Sequence, residues 1–109
     1  MNSRMKQHTE SNVWKLIGQR GAREVLRELI AGRKRYMDIL HGTGGISSRT
    51  LTKRLRELET AGIVCRVVYP EMPVRIEYRL TPKGTRLELA VREMERVEHG
   101  WLEEERSRA

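Results

Sequence analysis

The sequence predicts a mainly α fold with a small β-hairpin wing (α+β), and three observations carry that reading. Leu51, Leu55 and Leu58 follow at i, i+4 and i+7, one apolar stripe along a helix. After a stop at Ala61-Gly62 come two runs with strand preference, Ile63 to Tyr69 and Val74 to Leu80. Pro70 and Pro73 bracket the connection between those runs, and proline is excluded from a central ladder, so they mark a loop or wing. Finally, Thr81-Pro82 opens a long helical pattern, with Thr as cap and Pro at the first helical position. A basic helix leading into a Pro-tipped hairpin is the element order of a winged helix-turn-helix, here with terminal helices suited to dimerisation.

Length and composition bound what such a chain does. Its 109 residues suffice for one domain with one core. We expect a flexible tail at 1–10 and a single domain at 11–109, including a dimerisation helix at about 82–105. The net charge of +7, with 34% charged residues, favours an anionic partner, nucleic acid first. No apolar run approaches the roughly 20 residues needed to span a bilayer. The start, MNSRMKQHTESN, lacks the apolar core of a signal peptide, so a cytoplasmic protein is expected. The single Cys65 rules out an intramolecular disulfide and an all-cysteine metal site. Phenylalanine is absent, so Leu, Ile, Val and Met must fill the core, and so small a core makes dimerisation physically attractive.

Along the chain, Ser11 or Asn12 caps a first helix holding Val13, Trp14, Leu16 and Ile17, interrupted by Gly18 and Gly21. A second helix, about Ala22 to Ala31, turns Ala22, Val25, Leu26, Leu29 and Ile30 to one side, and Gly32 stops it. Arg33-Lys34-Arg35 reads as a short strand or as an extended basic link. A third helix, Tyr36 to His41, offers Tyr36, Ile39 and Leu40 to the core, and Gly42-Thr43-Gly44-Gly45 follows as a loop. That loop is not a phosphate cradle, because no strand precedes it and the Gly-Lys-Ser/Thr ending is missing.

The basic helix carries the functional expectation. Ser47, with Ser48 as the alternative, is placed to N-cap it. Arg49, Lys53 and Arg56 project roughly opposite the leucine stripe, with Ser48 and Thr52 on its shoulder. Such a helix is built to lie on a core and face an anion, and the major groove of DNA is the leading candidate. Arg75 near the wing tip is suited to the minor groove, or else it is a cross-strand partner of Glu71 or Glu77. Arg33, Lys34 and Arg35 read as phosphate contacts or plain surface. In the last helix Leu87, Val91, Met94, Val97 and Trp101 line one side for about four turns, longer than so small a domain needs for itself. Core, effector-pocket wall and dimer seam are all open to that stripe; its length favours the seam, joined by Val13, Trp14 and Ile17.

The segments Leu26 to Leu29, Ile46 to Leu58, Gly62 to Val64, Tyr69 to Tyr78 and Leu80 to Gly84 together resemble the HxlR-type transcription regulators, a branch related to the MarR regulators. That resemblance covers about Leu26 to Leu87. It implies a homodimeric regulator of duplex DNA whose recognition helix starts near Ser47, with Thr50 among its contact residues, and whose wing arginine is Arg75. The chain departs from the family pattern at the front. It has no cysteine between Met1 and Val64, and Arg20-Gly21 stands where a Lys-Trp pair is usual. The family's redox sensing is therefore not carried over; Cys65 on the first wing strand reads as a small strand residue, with a redox switch favoured by the neighbouring Arg66 as the lesser alternative.

No catalytic set is visible, His8, His41 and His99 have no ligand spacing, and neither metal nor cofactor is expected. A small-molecule effector is neither indicated nor excluded. The expected function is a homodimeric, sequence-specific DNA-binding regulator, most often a repressor. The alternatives are a protein-docking winged helix and a non-specific architectural DNA binder.

Overall fold

The structure is a computed structural model and describes residues 12–108. The expected tail at 1–10 and the candidate cap Ser11 lie outside the described residues. The other candidate cap serves: Asn12 Oδ1 accepts from Lys15 N at 2.7 Å and opens α1 (Val13–Ile17). Then follow α2 (Ala22–Ile30), β1 (Lys34–Arg35), α3 (Tyr36–Gly42) and α4 (Ser48–Thr60). The chain finishes with β2 (Val64–Tyr69), β3 (Arg75–Leu80) and α5 (Pro82–Arg108).

The expected hairpin is part of a three-stranded antiparallel sheet with the order β1-β3-β2. β2 runs against β3 from Val64↔Leu80 to Tyr69↔Arg75, and β1 adds Lys34↔Tyr78 and Arg35↔Glu77 on the far edge of β3. Of the two forms open to the basic link, the strand is the one adopted. Side chains alternate across the sheet, so Val64, Tyr78 and Leu80 turn to the helices while Cys65, Val67 and Glu77 turn away.

The core is a single cluster. Val25, Leu26 and Leu29 of α2, Ile39 of α3, and Leu51, Leu55 and Leu58 of α4 are all buried, closed by Ala61, Ile63, Val64 and Val91. Each fully buried aliphatic side chain is worth about 1.5–3 kcal/mol, so the leucine stripe of α4 fixes how that helix sits.

The terminal stripe divides in a way the sequence reading did not separate. Val91 is only 8% exposed and belongs to the core, with Leu87 and Ile17 packed against it. These three are internal packing first, because they face α2 and the sheet side of the domain. Trp14 (72%), Trp101 (62%), Met94 (51%) and Val97 (42%) stand in solvent, with Val13 at the margin. α5 has 27 residues, about 40 Å of helix, and its second half runs beyond the core. Arg27 Nη2 meets Glu95 Oε2 at 2.7 Å and Arg23 Nη2 meets Glu98 Oε1 at 3.2 Å, tying α2 to the middle of α5.

Candidate nucleic-acid interface

Ser47 caps α4, its Oγ accepting from Thr50 N at 3.1 Å, so the first of the two candidate caps is used. The helix ends where the sequence stops it. Gly62, at φ 76°, takes the left-handed conformation, and its N–H reaches Glu59 O while Ile63 N–H reaches Leu58 O, both at 2.9 Å. Between these ends one face is buried and the other open. Arg49, Lys53 and Arg56 are exposed, and none of them forms a hydrogen bond or ion pair with the described residues. Three unpaired cations on the open face, the first of them in the opening turn at the positive end of the helix dipole, make an electropositive ridge.

Two residues that the sequence reading left out of the site hold this ridge in place. Tyr36 Oη donates to Ser48 O at 2.9 Å, and Thr52 Oγ1 lies 2.9 Å from Tyr36 Oη. The phenol has one hydrogen and spends it on Ser48, so Thr52 is the donor of the second bond. Arg54 lies within the leucine face. Its Nε donates to Arg20 O at 2.6 Å and its Nη1 to Glu57 Oε1 at 2.7 Å, satisfying a guanidinium only 7% exposed. That contact pins the turn between α1 and α2 to α4. Spacing alone could have found it, because Arg54 lies three residues after Leu51 and four before Leu58.

The remaining candidates are distributed unevenly. Ser47 and Ser48 are exposed at the helix start. Thr50 is half-buried: its methyl packs over Gly21 and its hydroxyl takes a bond from Ser47 Oγ, so it leaves the front of the helix. Thr52 is half-buried and engaged with Tyr36. On the edge strand, Lys34 Nζ meets Glu28 Oε1 at 2.7 Å, an internal tie rather than an open cation. Arg33 reaches Tyr69 Oη at 3.3 Å and Glu77 Oε1 at 3.8 Å. Arg35 is exposed and has no such partner among the described residues.

Arg75 pairs with both carboxylates named as its alternative partners, Glu71 in the connecting loop and Glu77 along the same strand, neither of them across a strand pair. Its Nη2 lies 3.0 Å from Glu71 Oε1, its Nη1 lies 2.8 Å from Glu77 Oε2, and its guanidinium carbon sits 3.9 Å from the centre of the Tyr69 ring. The Glu71 carboxylate first, then Glu77, holds this guanidinium above its ordinary pKa. The wing is thus close to neutral around its arginine. Tyr78 of β3 packs against the core, and its phenol is pushed up first by burial and then by Glu59, with Arg66 and Arg56 opposing.

Among the described residues, no group of three His, Cys, Asp or Glu side chains is placed to hold a metal ion, and no helix is long and apolar enough to cross a membrane. Cys65 is half-buried on β2.

The sequence profile described as HxlR-like helix-turn-helix matches residues 16–106. An HTH-type transcriptional regulator of Synechocystis sp. is 43% identical over 94 residues, which is 86% of this chain and 64% of that protein, so the chain spans less than two thirds of it. YodB, an HTH-type transcriptional regulator of Bacillus subtilis, is 39% identical over 84 residues, 77% of this chain and 75% of YodB. Among solved structures, a transcriptional regulator of the MarR family from Enterococcus faecalis superposes with a TM-score of 0.79 at 32% identity, covering 92% of this chain and 91% of that one.

Proposed function

This chain belongs to the HxlR-like helix-turn-helix family of transcriptional regulators, and from that membership we propose that it binds duplex DNA sequence-specifically, as a homodimeric repressor. The recognition helix, about residues 47–61, lies in the major groove, and the wing, about 69–75, follows the backbone or minor groove. One observation carries the reading: α4 is held by its rear through Leu51, Arg54, Leu55 and Leu58, while Arg49, Lys53 and Arg56 on its front have no partner among the described residues. Arg49 and Lys53, near the helix start, reach base edges such as the O6/N7 side of guanine. Ser47, Ser48 and Arg56 serve phosphates, and Thr52 does so only by yielding its bond to Tyr36.

Arg75 joins the contact by exchanging Glu71 for a phosphate. The exchange costs little, because exposed ion pairs are worth about 0–1 kcal/mol. The dimer forms through α5 and α1, with Trp14, Met94, Val97 and Trp101 as the seam, Val13 at its edge, and Ile17, Leu87 and Val91 supporting it from within. Twofold symmetry then requires a pseudo-palindromic operator with half-sites about one helical turn apart, or a multiple of it.

Selection of bound sequences from random duplexes tests this. The expected result is one enriched inverted repeat, with Arg49→Ala losing about 1–3 kcal/mol on it and relaxing preference at one position. Binding without enrichment would mark an architectural DNA binder. No binding even at low salt would mark a protein-docking module.

A further inference from the structure

The opening of α5 is bound to the carbonyls that end α4 and lead into β2, Ala61 to Ile63, through Thr81, Lys83 and Gly84. Thr81 Oγ1 donates to Gly62 O at 2.5 Å, with Ile63 O a second acceptor at 3.2 Å, and Thr81 N–H donates to Ile63 O at 3.0 Å. Lys83 Nζ donates to Ala61 O at 2.7 Å, meeting a carbonyl at the negative end of α4. Gly84 completes the contact: its N–H donates to Thr81 Oγ1 at 3.1 Å, and a Cβ there would collide with Ile63 O. The same helix presents the exposed Met94, Val97 and Trp101 further along, and the Arg23 and Arg27 ion pairs to Glu98 and Glu95 fasten that second region to α2.

Resting on the reading of α4 as the DNA-reading helix and α5 as the dimer helix, we propose that this opening turn is a latch setting the angle between the two, with Thr81 and Lys83 as positioning residues. Neither touches DNA; each acts through the carbonyls of Ala61 to Ile63. The leverage is large. α4 has 13 residues, about 20 Å of helix, and a tilt of about 10° about its held end moves the other end by about 3.5 Å, close to one base-pair step. In a twofold dimer both recognition helices tilt, so the latch governs which half-site separation is read.

The test compares wild type, Lys83→Met and Lys83→Arg on the selected operator, on duplexes with one base pair inserted or deleted between half-sites, and on a single half-site. Methionine keeps the length of the side chain but has no donor, whereas arginine keeps a donor. Light scattering and thermal melting establish that each variant is a folded dimer. Wild type should discriminate between spacings by about 5–150-fold, the usual range of coupling between two sites, and Lys83→Met should reduce this to about twofold. Half-site affinity should stay at the wild-type level, and Lys83→Arg should restore the discrimination. Retention of full discrimination by Lys83→Met overturns the latch, as does an equal loss on half-site and operator, which would mean a merely local defect. A wild type that binds every spacing alike overturns the latch together with the dimeric reading beneath it.

Discussion

Lys34 and Arg35 are neighbours in the chain with opposite surroundings. The Lys34 ammonium is committed to Glu28, whose carboxylate lies against Gly42, while Arg35 on the other sheet face has no partner among the described residues. Arg35→Ala is therefore expected to weaken binding to all duplexes alike and lower the salt slope by about one unit. Lys34→Ala should instead leave the salt slope unchanged and cost about 1–3 kcal/mol of stability, because it strands a largely buried carboxylate. Binding isotherms at several salt concentrations, beside thermal melts, separate the two; an equal effect of both variants on the slope would show that Lys34 leaves Glu28 on DNA. The sequence could not tell these residues apart. A run of three cations names a basic segment, whereas each partner comes from a different element: Glu28 from α2 for Lys34, and Glu77 and Tyr69 from the wing for Arg33. Arg75 shows the same limit, since both of its carboxylates were visible as candidates, but that it holds both at once depends on how the loop folds Glu71 back over β3.

At the scale of elements, legibility follows period. α2 and α4 were readable because their apolar residues recur at 3.6, the hairpin from strand-preferring residues and its bracketing prolines, and the caps Asn12, Ser47 and Thr81 from residue type. β1 has two residues, too few for any period, and exists because β3 offers it an edge. The division of α5 into a core half and an exposed half was not readable, because spacing shows which residues share a face and not how far along that face the neighbours extend. Where α5 leaves the sheet, Gly84 is the sharpest constraint. Gly84→Ala puts a methyl into the Ile63 carbonyl, and relief requires the backbone of α5 or β2 to shift. A loss of about 1–3 kcal/mol follows, with about 4–8 °C in Tm for each kcal/mol in a domain of this size. An unchanged melting curve would mean that the two elements pack less closely than described.

At the scale of the whole molecule, two tryptophans more than half exposed, beside Met94 and Val97, leave an apolar surface that a second copy of the chain can cover. Glutamate at both Met94 and Trp101 is expected to yield monomers by light scattering with the fold intact, since neither side chain belongs to the core cluster. A monomeric wild type at tens of micromolar, a concentration at which an interface of about −6 to −7 kcal/mol would still hold, would refute the seam. The division within α4 reaches further. Leu51, Leu55, Leu58 and Arg54 carry its attachment, and Arg49, Lys53 and Arg56 carry none of it. On the proposed reading, what the protein recognises and whether it folds are therefore written on separate residues of one helix. Substitutions at 49, 53 and 56 should stay within about 0.5 kcal/mol of wild-type stability while changing the preferred sequence freely. A library randomised at those three positions should yield mostly folded proteins with many different targets, so a lineage carrying this scaffold can acquire new operators without passing through unstable intermediates.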